Sequence, residues 1–423
     1  MAAAALPAAG LLAGCSGTGR QRGARGAVTL RFQSLAWQQE SVEANKRLVQ
    51  EWNARHRTVR VEYVQGSWDT VHDQLLTAFE GGEAPDVIHD ASDDLADFAY
   101  GGYLADLTDL RSDRLRADIP EASWRTGTFA GRVHGVPFLQ EPRVLLANRA
   151  LLHAAGVDEP TPAHPWSWPE FEAATRRLTG HGRHGMAWPL KEPVSLTLNL
   201  ALSTGGRVFY AGEGGDWQVR FDSADSQVAR VVHDQITVDR TASRTALGMS
   251  GSDTLPAFFA GRYAMVPLGF SYRQQIVQQA PKDFDWTVLP SPAGSGPGQG
   301  VSPQTLSVAE TCRHKEAAME FVDFLLSPPS MVRLALGDWM LPTGTTALRD
   351  PRLHTSRYHW ATGTALAPTL HAAPAQAVRG YAEWKDKVAT PGLQEYYSGA
   401  VGLGELRRRL VEDGNRVLAR YQR

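Results

Sequence analysis

Val28-Thr-Leu-Arg-Phe-Gln33, then Val59-Arg-Val-Glu-Tyr-Val64, then Asp86-Val-Ile-His89: three short β-rich runs decide the fold. Between the first two, Val42, Leu48, Val49 and Trp52 mark one face of a helix. Between the second and third, Val71, Leu75, Leu76 and Phe79 mark another, and Ala84-Pro85 introduces the last run. This β-α-β-α-β alternation predicts a parallel sheet with right-handed crossovers. Open sheets of this kind bind ligands beyond the carboxyl ends of their strands. Those ends carry Gln33–Gln38 with Trp37, then Gln65-Gly-Ser-Trp-Asp69, then Asp90-Ala-Ser-Asp-Asp94. Two loop tryptophans, Trp37 and Trp68, therefore meet a set of acids on one edge.

Outward from this unit the pattern restarts after Gly131-Arg-Val-His-Gly-Val-Pro-Phe138. Val144–Asn148 reads as a strand. A helix is expected over Glu170–Leu178, with Ser167 as its cap and Pro169 in its first turn. Further helices are expected near Leu196–Ser203, Ser226–Thr237 and Leu255–Ala260. Another runs over Lys315–Leu326 and ends at Ser327-Pro-Pro329. The last, about Leu403–Tyr421, stripes Leu406, Leu410, Val417 and Tyr421. Residues 290–300, rich in Pro, Gly and Ser, read as a loop.

With 423 residues the chain can hold two or three domains. Its 43% apolar and 21% charged residues are those of a soluble globular protein. The net charge of −2 argues against a nucleic-acid partner, which needs a basic patch. No phosphate loop, dinucleotide fingerprint or paired Cys-x-x-Cys occurs, so neither cofactor nor metal is expected. His181 and His184 read as a solvated loop rather than a metal pair. Asp93 and Asp94 could serve as acids in glycoside chemistry. Adjacent carboxylates at a strand end more often cap the next helix or bind hydroxyls. Cys312 reads as a buried structural thiol.

Leu12-Ala13-Gly14-Cys15 closes an apolar stretch too short to span a bilayer. It resembles a bacterial lipobox, in which the cysteine is lipidated and becomes the mature N-terminus. Residues 1–15 are thus expected to be a signal peptide with Cys15 the lipidation site, and 16–27 a flexible Gly-rich tether. No Lys or Arg precedes Arg20, so the true start of translation is expected upstream of Met1. If Cys15 is lipidated, Cys312 has no partner and a disulfide framework is excluded.

Five segments in order resemble the extracytoplasmic solute-binding proteins of ABC importers, in the family that binds sugars and other polar solutes. They are Gly131–Phe138 followed by Leu145-Leu-Ala-Asn148; Pro165-Trp-Ser-Trp-Pro-Glu-Phe171; Phe258-Phe-Ala-Gly-Arg-Tyr-Ala-Met-Val266 with Gly269; Ala317–Leu325; and Leu341-Pro-Thr343. The resemblance covers about Val28 to Arg423. It implies an α/β, two-lobed periplasmic-binding-protein-like fold with a multi-segment hinge and an inter-lobe ligand cleft. Lobe boundaries are expected at 28–140 plus 286–341 and at 141–285 plus 342–423. It implies a monomer without catalysis, tethered to the membrane, that hands solute to permease subunits. The family's Tyr pair after Gly-Val-Pro-Phe is absent here, where Leu145 and Leu146 stand.

Sugar rings offer apolar faces and a belt of hydroxyls, so flat aromatics and polar side chains should share the site. The aromatic candidates are Trp37, Trp68, Trp188, Phe270, Tyr272 and Trp339. The polar ones are Asp90, Gln140, Glu141 and Arg143. Trp52, Trp124, Trp166 and Trp168 read as packing residues. Arg143 could instead meet a phosphate or carboxylate, as in a glycerol-phosphate binder. Two rival readings stand beside the importer: a sensor subunit for a membrane kinase, and a secreted carbohydrate-active enzyme.

Overall fold

The computed structural model describes residues 27–212 and 216–421. Cys15, the signal stretch and the tether expected over 16–27, except Ala27, lie outside the described residues. Within them no helix is long and apolar enough to cross a membrane.

The opening unit folds as its pattern predicts. Strand β1 (Val28–Ser34), helix α1 (Gln39–Arg55), strand β2 (Val59–Gln65), helix α2 (Val71–Glu80) and strand β3 (Val87–Ala91) follow in order. β1 pairs in parallel with both neighbours, Phe32 opposite Tyr63 on one side and Val87 on the other. Helix α3 (Ser92–Tyr100) begins directly at the end of β3, with Asp93 and Asp94 in its first turn. Three later strands complete this sheet by antiparallel pairing: Gln304–Val308 on β3, Val136–Gln140 on that strand, and Leu341–Pro342 at the edge.

A second sheet holds Trp286–Pro290, Arg143–Asn148, Tyr263–Gly269 and His184–Met186 in that order. Each sheet has its own core. Leu30, Phe32, Trp52 and Phe321 pack the first. Trp168, Phe171, Trp188, Trp384 and Tyr397 pack the second. The structure is therefore two α/β lobes. Trp52, Trp124 and Trp168 are buried packing residues, and the partly buried Trp166 packs on the second core. Helix Trp168–Leu178 carries the expected cap: Ser167 Oγ accepts from Glu170 N–H while the Glu170 carboxylate accepts from Ser167 N–H.

Two expected lobe limits move. Trp286–Pro290, placed by sequence in the first lobe, pairs with Arg143–Asn148 of the second. The chain thus crosses after Pro290, through the loop ahead of Gln304. At the far end, helix Thr345–Leu348 still belongs to the first lobe, since Thr346 N–H donates to Asp118 Oδ1 (2.7 Å). The last crossing falls beyond it, before helix Trp360–Leu366 of the second-lobe core. The expected limits are implied by the resemblance alone, which says nothing of how Trp286–Pro290 pairs. Ser327-Pro-Pro329 ends one helix and opens the next, Pro328–Asp338, because proline suits a helix's first turn.

Candidate functional site

The loop after β1 is held by a buried histidine. Leu35 N–H donates to His89 Nδ1 (3.0 Å), so Nε2 carries the proton and faces Gln304 Oε1 (3.0 Å). Burial pushes the His89 pKa down to about 3, which keeps the ring neutral and this tautomer in place. Gln65 Nε2 adds a bond to the Ala36 carbonyl (2.7 Å). The next residue, Trp37, is left 50% exposed, rare for so large a ring. Its ring lies 6.5 Å from that of Tyr272, which belongs to the other lobe.

Around Tyr272 runs a cleft of about 370 Å³ between the lobes. The first lobe supplies Asp69. The second supplies Arg143, Lys191, Glu192, Ser250 and Tyr272, with Met249 and Leu268 as apolar floor. Arg143 is fixed through its backbone, with its N–H on Gln299 Oε1 (2.6 Å) and its carbonyl taking Ser291 Oγ–H (2.7 Å). No hydrogen bond or ion pair of its guanidinium is found among the described residues. Burial raises the Tyr272 hydroxyl pKa, an effect Arg143 opposes.

A polar knot continues the boundary at the start of α3. Asp90 is 4% exposed, its Oδ1 taking Ala91 N–H (2.8 Å) and its Oδ2 left without a partner. Burial, with Asp94 nearby, raises its pKa well above the usual carboxylate range. Asp93 accepts from Ser302 Oγ–H (2.6 Å), and Asp94 pairs with His72 (3.0 Å). From the second lobe, Gly380 N–H donates to Asp97 Oδ1 (2.7 Å), and Arg379 lies over the Tyr100 ring (4.3 Å). Helix α3 thus touches the opposite lobe directly.

The ten candidates divide. Trp37, Tyr272 and Arg143 converge on the cleft, and Asp90 lies in the knot, whose Asp93 is within Coulomb reach of the cleft's Arg143. Trp68 sits next to Asp69, half-buried and edge-on to His89 (5.6 Å). Gln140 and Glu141 occupy the first crossing. Gln140 pairs with Leu341, and Glu141 Oε2 accepts from Ser271 N–H (2.9 Å).

Three aromatics are not ligand walls. Trp188 is 1% exposed inside the second lobe, its Nε1 donating to Gln235 Oε1 (2.8 Å); the cleft residue is its neighbour Pro189. Phe270 is fully buried, with the Arg273 guanidinium 3.2 Å from its centroid. Trp339 is 6% exposed, its Nε1 bound to Glu40 Oε2 (3.0 Å). Trp188 and Phe270 follow strands and Trp339 caps helix Pro328–Asp338, and each turns its ring into the apolar interior. The sequence reading missed Lys191, Glu192 and Ser250, which carry no motif, and Asp69, quoted only as part of a strand-end loop.

Among the described residues no group of acids, histidines and cysteines is arranged to hold a metal ion. A profile of the family described as bacterial extracellular solute-binding protein matches residues 36–332. An uncharacterised lipoprotein from the oleD 5′ region of Streptomyces antibioticus is 67% identical over 399 residues, 94% of this chain and 88% of that protein. The diacetylchitobiose-binding protein DasA of Streptomyces coelicolor is 23% identical over 67% of this chain and 66% of its own length. Among solved structures, the GacH receptor of Streptomyces glaucescens, studied unliganded and with acarbose, superposes with a TM-score of 0.78. It is 22% identical, over 93% of this chain and 99% of GacH. UgpB of Mycobacterium tuberculosis, bound to glycerophosphocholine, gives 0.77 at 19% identity, over 94% and 100%. The matched profile and the two-lobed architecture agree: the chain belongs to the family of bacterial extracellular solute-binding proteins.

Proposed function

We propose that this protein is the lipid-anchored substrate-binding component of an ABC importer, capturing a sugar or oligosaccharide by hinge closure and delivering it to the membrane permease. One observation carries the reading. An exposed tryptophan and a tyrosine from opposite lobes lie 6.5 Å apart, tilted to one another, at a cleft lined by Asp69, Glu192 and Arg143. Flat rings suit the C–H faces of a sugar, and the charged groups suit its hydroxyls. Ligand bound there would touch both lobes at once and so favour the closed state, as differential affinity requires. The names of the GacH and DasA relatives, which bind acarbose and diacetylchitobiose, support a carbohydrate. Arg143 favours a second reading, a ligand with a phosphate, as in the glycerophosphocholine complex of UgpB.

Cys15 and the 16–27 tether give the receptor a leash. The lipoprotein relative supports the anchor. More than one acyl chain, at ~0.8 kcal/mol per buried CH₂, is enough for stable attachment. The test is a thermal-shift and tryptophan-fluorescence screen of the chain beginning after Cys15. The panel holds sugars, polyols and glycerophosphodiesters. A shift with a carbohydrate is expected; a flat response across the panel would overturn the solute reading. Turnover of an aryl glycoside, lost on mutating one carboxylate, would favour the enzyme instead. In the native host two permease genes beside this one are expected; a kinase gene in their place would favour the sensor.

A further inference from the structure

The inter-lobe boundary holds buried polar atoms without hydrogen-bond partners. Asp90, Asp93 and Asp94 stand within five residues at the end of β3 and the first turn of α3. Lys385 and Arg143 are cations within Coulomb reach of Asp93, and Lys385 also acts on Asp90. Lys385 is shared, its Nζ lying 3.7 Å from Asp386.

Three buried atoms in this region have no hydrogen-bond partner: Asp90 Oδ2, Ser92 Oγ and Gln376 Oε1. Their residues are 4%, 0% and 6% exposed. Ser92 opens α3, and Gln376 comes from the opposite lobe, on the segment Pro374–Ala377 packed against α3. Its amide donates to the Val301 carbonyl, which leaves the oxygen free. An ionised Asp90 oxygen and an amide oxygen can only accept. Leaving such atoms unmatched forfeits their solvation without replacing it. The nearby acids are already matched, Asp93 by Ser302 and Asp94 by His72.

A neutral hydroxyl supplies one donor and no charge. An ammonium supplies three donors and a positive charge, and in a poorly solvated boundary that charge is strongly felt. We propose that the cleft selects an amine-bearing sugar, whose protonated amine sits against Asp90 and Asp93 and reaches Gln376 across the boundary. The proposal rests on the sugar-cleft reading above and names the ligand class for it. Burial raises the pKa values of both acids, and the Asp94 charge adds to that. A bound cation offsets both effects.

The test is calorimetric titration of the full mature protein at about pH 6, where sugar amines are protonated. The probes are matched pairs: glucosamine and glucose, galactosamine and galactose, chitobiose and cellobiose, with glucuronate as an acidic control. In at least one pair the amine should bind about tenfold tighter or better. Asp90→Asn should bring that gap within about threefold, the amine losing more affinity than its hydroxyl partner. Asp93→Asn gives the same readout if Asp90→Asn does not fold. Should hydroxyl sugars or glucuronate match the amines in every pair, the amine proposal is overturned and the sugar cleft stands. Flat heats with every probe would overturn both.

Discussion

Arg273 is fully buried and has no carboxylate in contact, yet it ties three parts of the chain together. Its Nε donates to the Phe270 carbonyl (2.6 Å), one Nη to Trp339 (3.0 Å), and the other to Tyr358. Trp339 caps helix Pro328–Asp338 in a left-handed conformation (φ 56°), so this carbonyl sits at the negative end of a helix. The rings of Phe270, Trp360 and Trp339 surround the guanidinium at 3.2, 4.4 and 5.3 Å. Burial drives its pKa well down, with Glu141 opposing. Arg273→Met keeps most of the volume but orphans three buried acceptors. At about 1–3 kcal/mol each, the gross loss is about 3–9 kcal/mol. Removing the buried cation returns part of this, since desolvating such a charge costs several kcal/mol. A net destabilisation of about 3 kcal/mol is expected, and Arg273→Lys, whose point charge cannot span three carbonyls, should fall between. Urea unfolding followed by far-ultraviolet circular dichroism measures it. Because Trp339 ends a first-lobe helix and Arg273 opens a second-lobe one, the variant should also separate the two lobes' transitions. A methionine variant within about 1 kcal/mol of wild type, with one unchanged transition, would refute the idea that this cation pins the crossing.

Trp37→Ala should weaken carbohydrate binding far more than it weakens the fold. Half a tryptophan's area, roughly 100 Å², is worth about 2–3 kcal/mol when covered, or roughly 30- to 150-fold in affinity. Calorimetry with the tightest sugar of the panel measures the binding, and unchanged affinity would remove Trp37 from the site. Trp188→Ala should do the reverse, costing about 3–5 kcal/mol of stability, read by denaturant titration, because it empties a fully buried position. Mass spectrometry of the native N-terminus should find Cys15 acylated and first; a mature form retaining Met1 with an unmodified Cys15 would rule the anchor out.

What the sequence makes legible, and what it does not, follows from the range of the forces involved. The β-α-β-α-β unit is legible because period-2 and period-3.6 patterns report burial within one element. The cap at Ser167 is legible because its partner lies three residues away. Trp37 and Trp68 could be placed at a sheet edge because strand direction fixes which end each loop leaves from. Tertiary partners are not legible. Nothing in Trp286–Pro290 says that it pairs with Arg143–Asn148, and nothing in Trp188 says that Gln235 takes its N–H inside the core. Gly269-Phe270-Ser-Tyr272 shows the limit most sharply. Both rings stand as candidates in the sequence, but a short helical turn places them differently, burying Phe270 beneath Arg273 while Tyr272 lines the cleft.

Asp338 extends the same argument to pH. It lies between α1 and the Arg273 junction, buried, with the Ser41 hydroxyl and the Glu141 charge nearby. Burial raises its pKa from 3.8 to about 7, against the help of Ser41. A carboxyl raised in the folded state favours folding while it is protonated in both states. That contribution is present below about pH 4 and is lost as pH climbs toward 7. The crossing should therefore be tighter in mildly acidic solution than at neutral pH. Asp338→Asn removes the titration while keeping the shape, so its stability relative to wild type should rise steadily between pH 4 and 7 and level off above. Melting temperatures of both proteins across that range decide it. A constant difference would mean that Asp338 is ionised throughout, with its charge matched by groups other than Ser41.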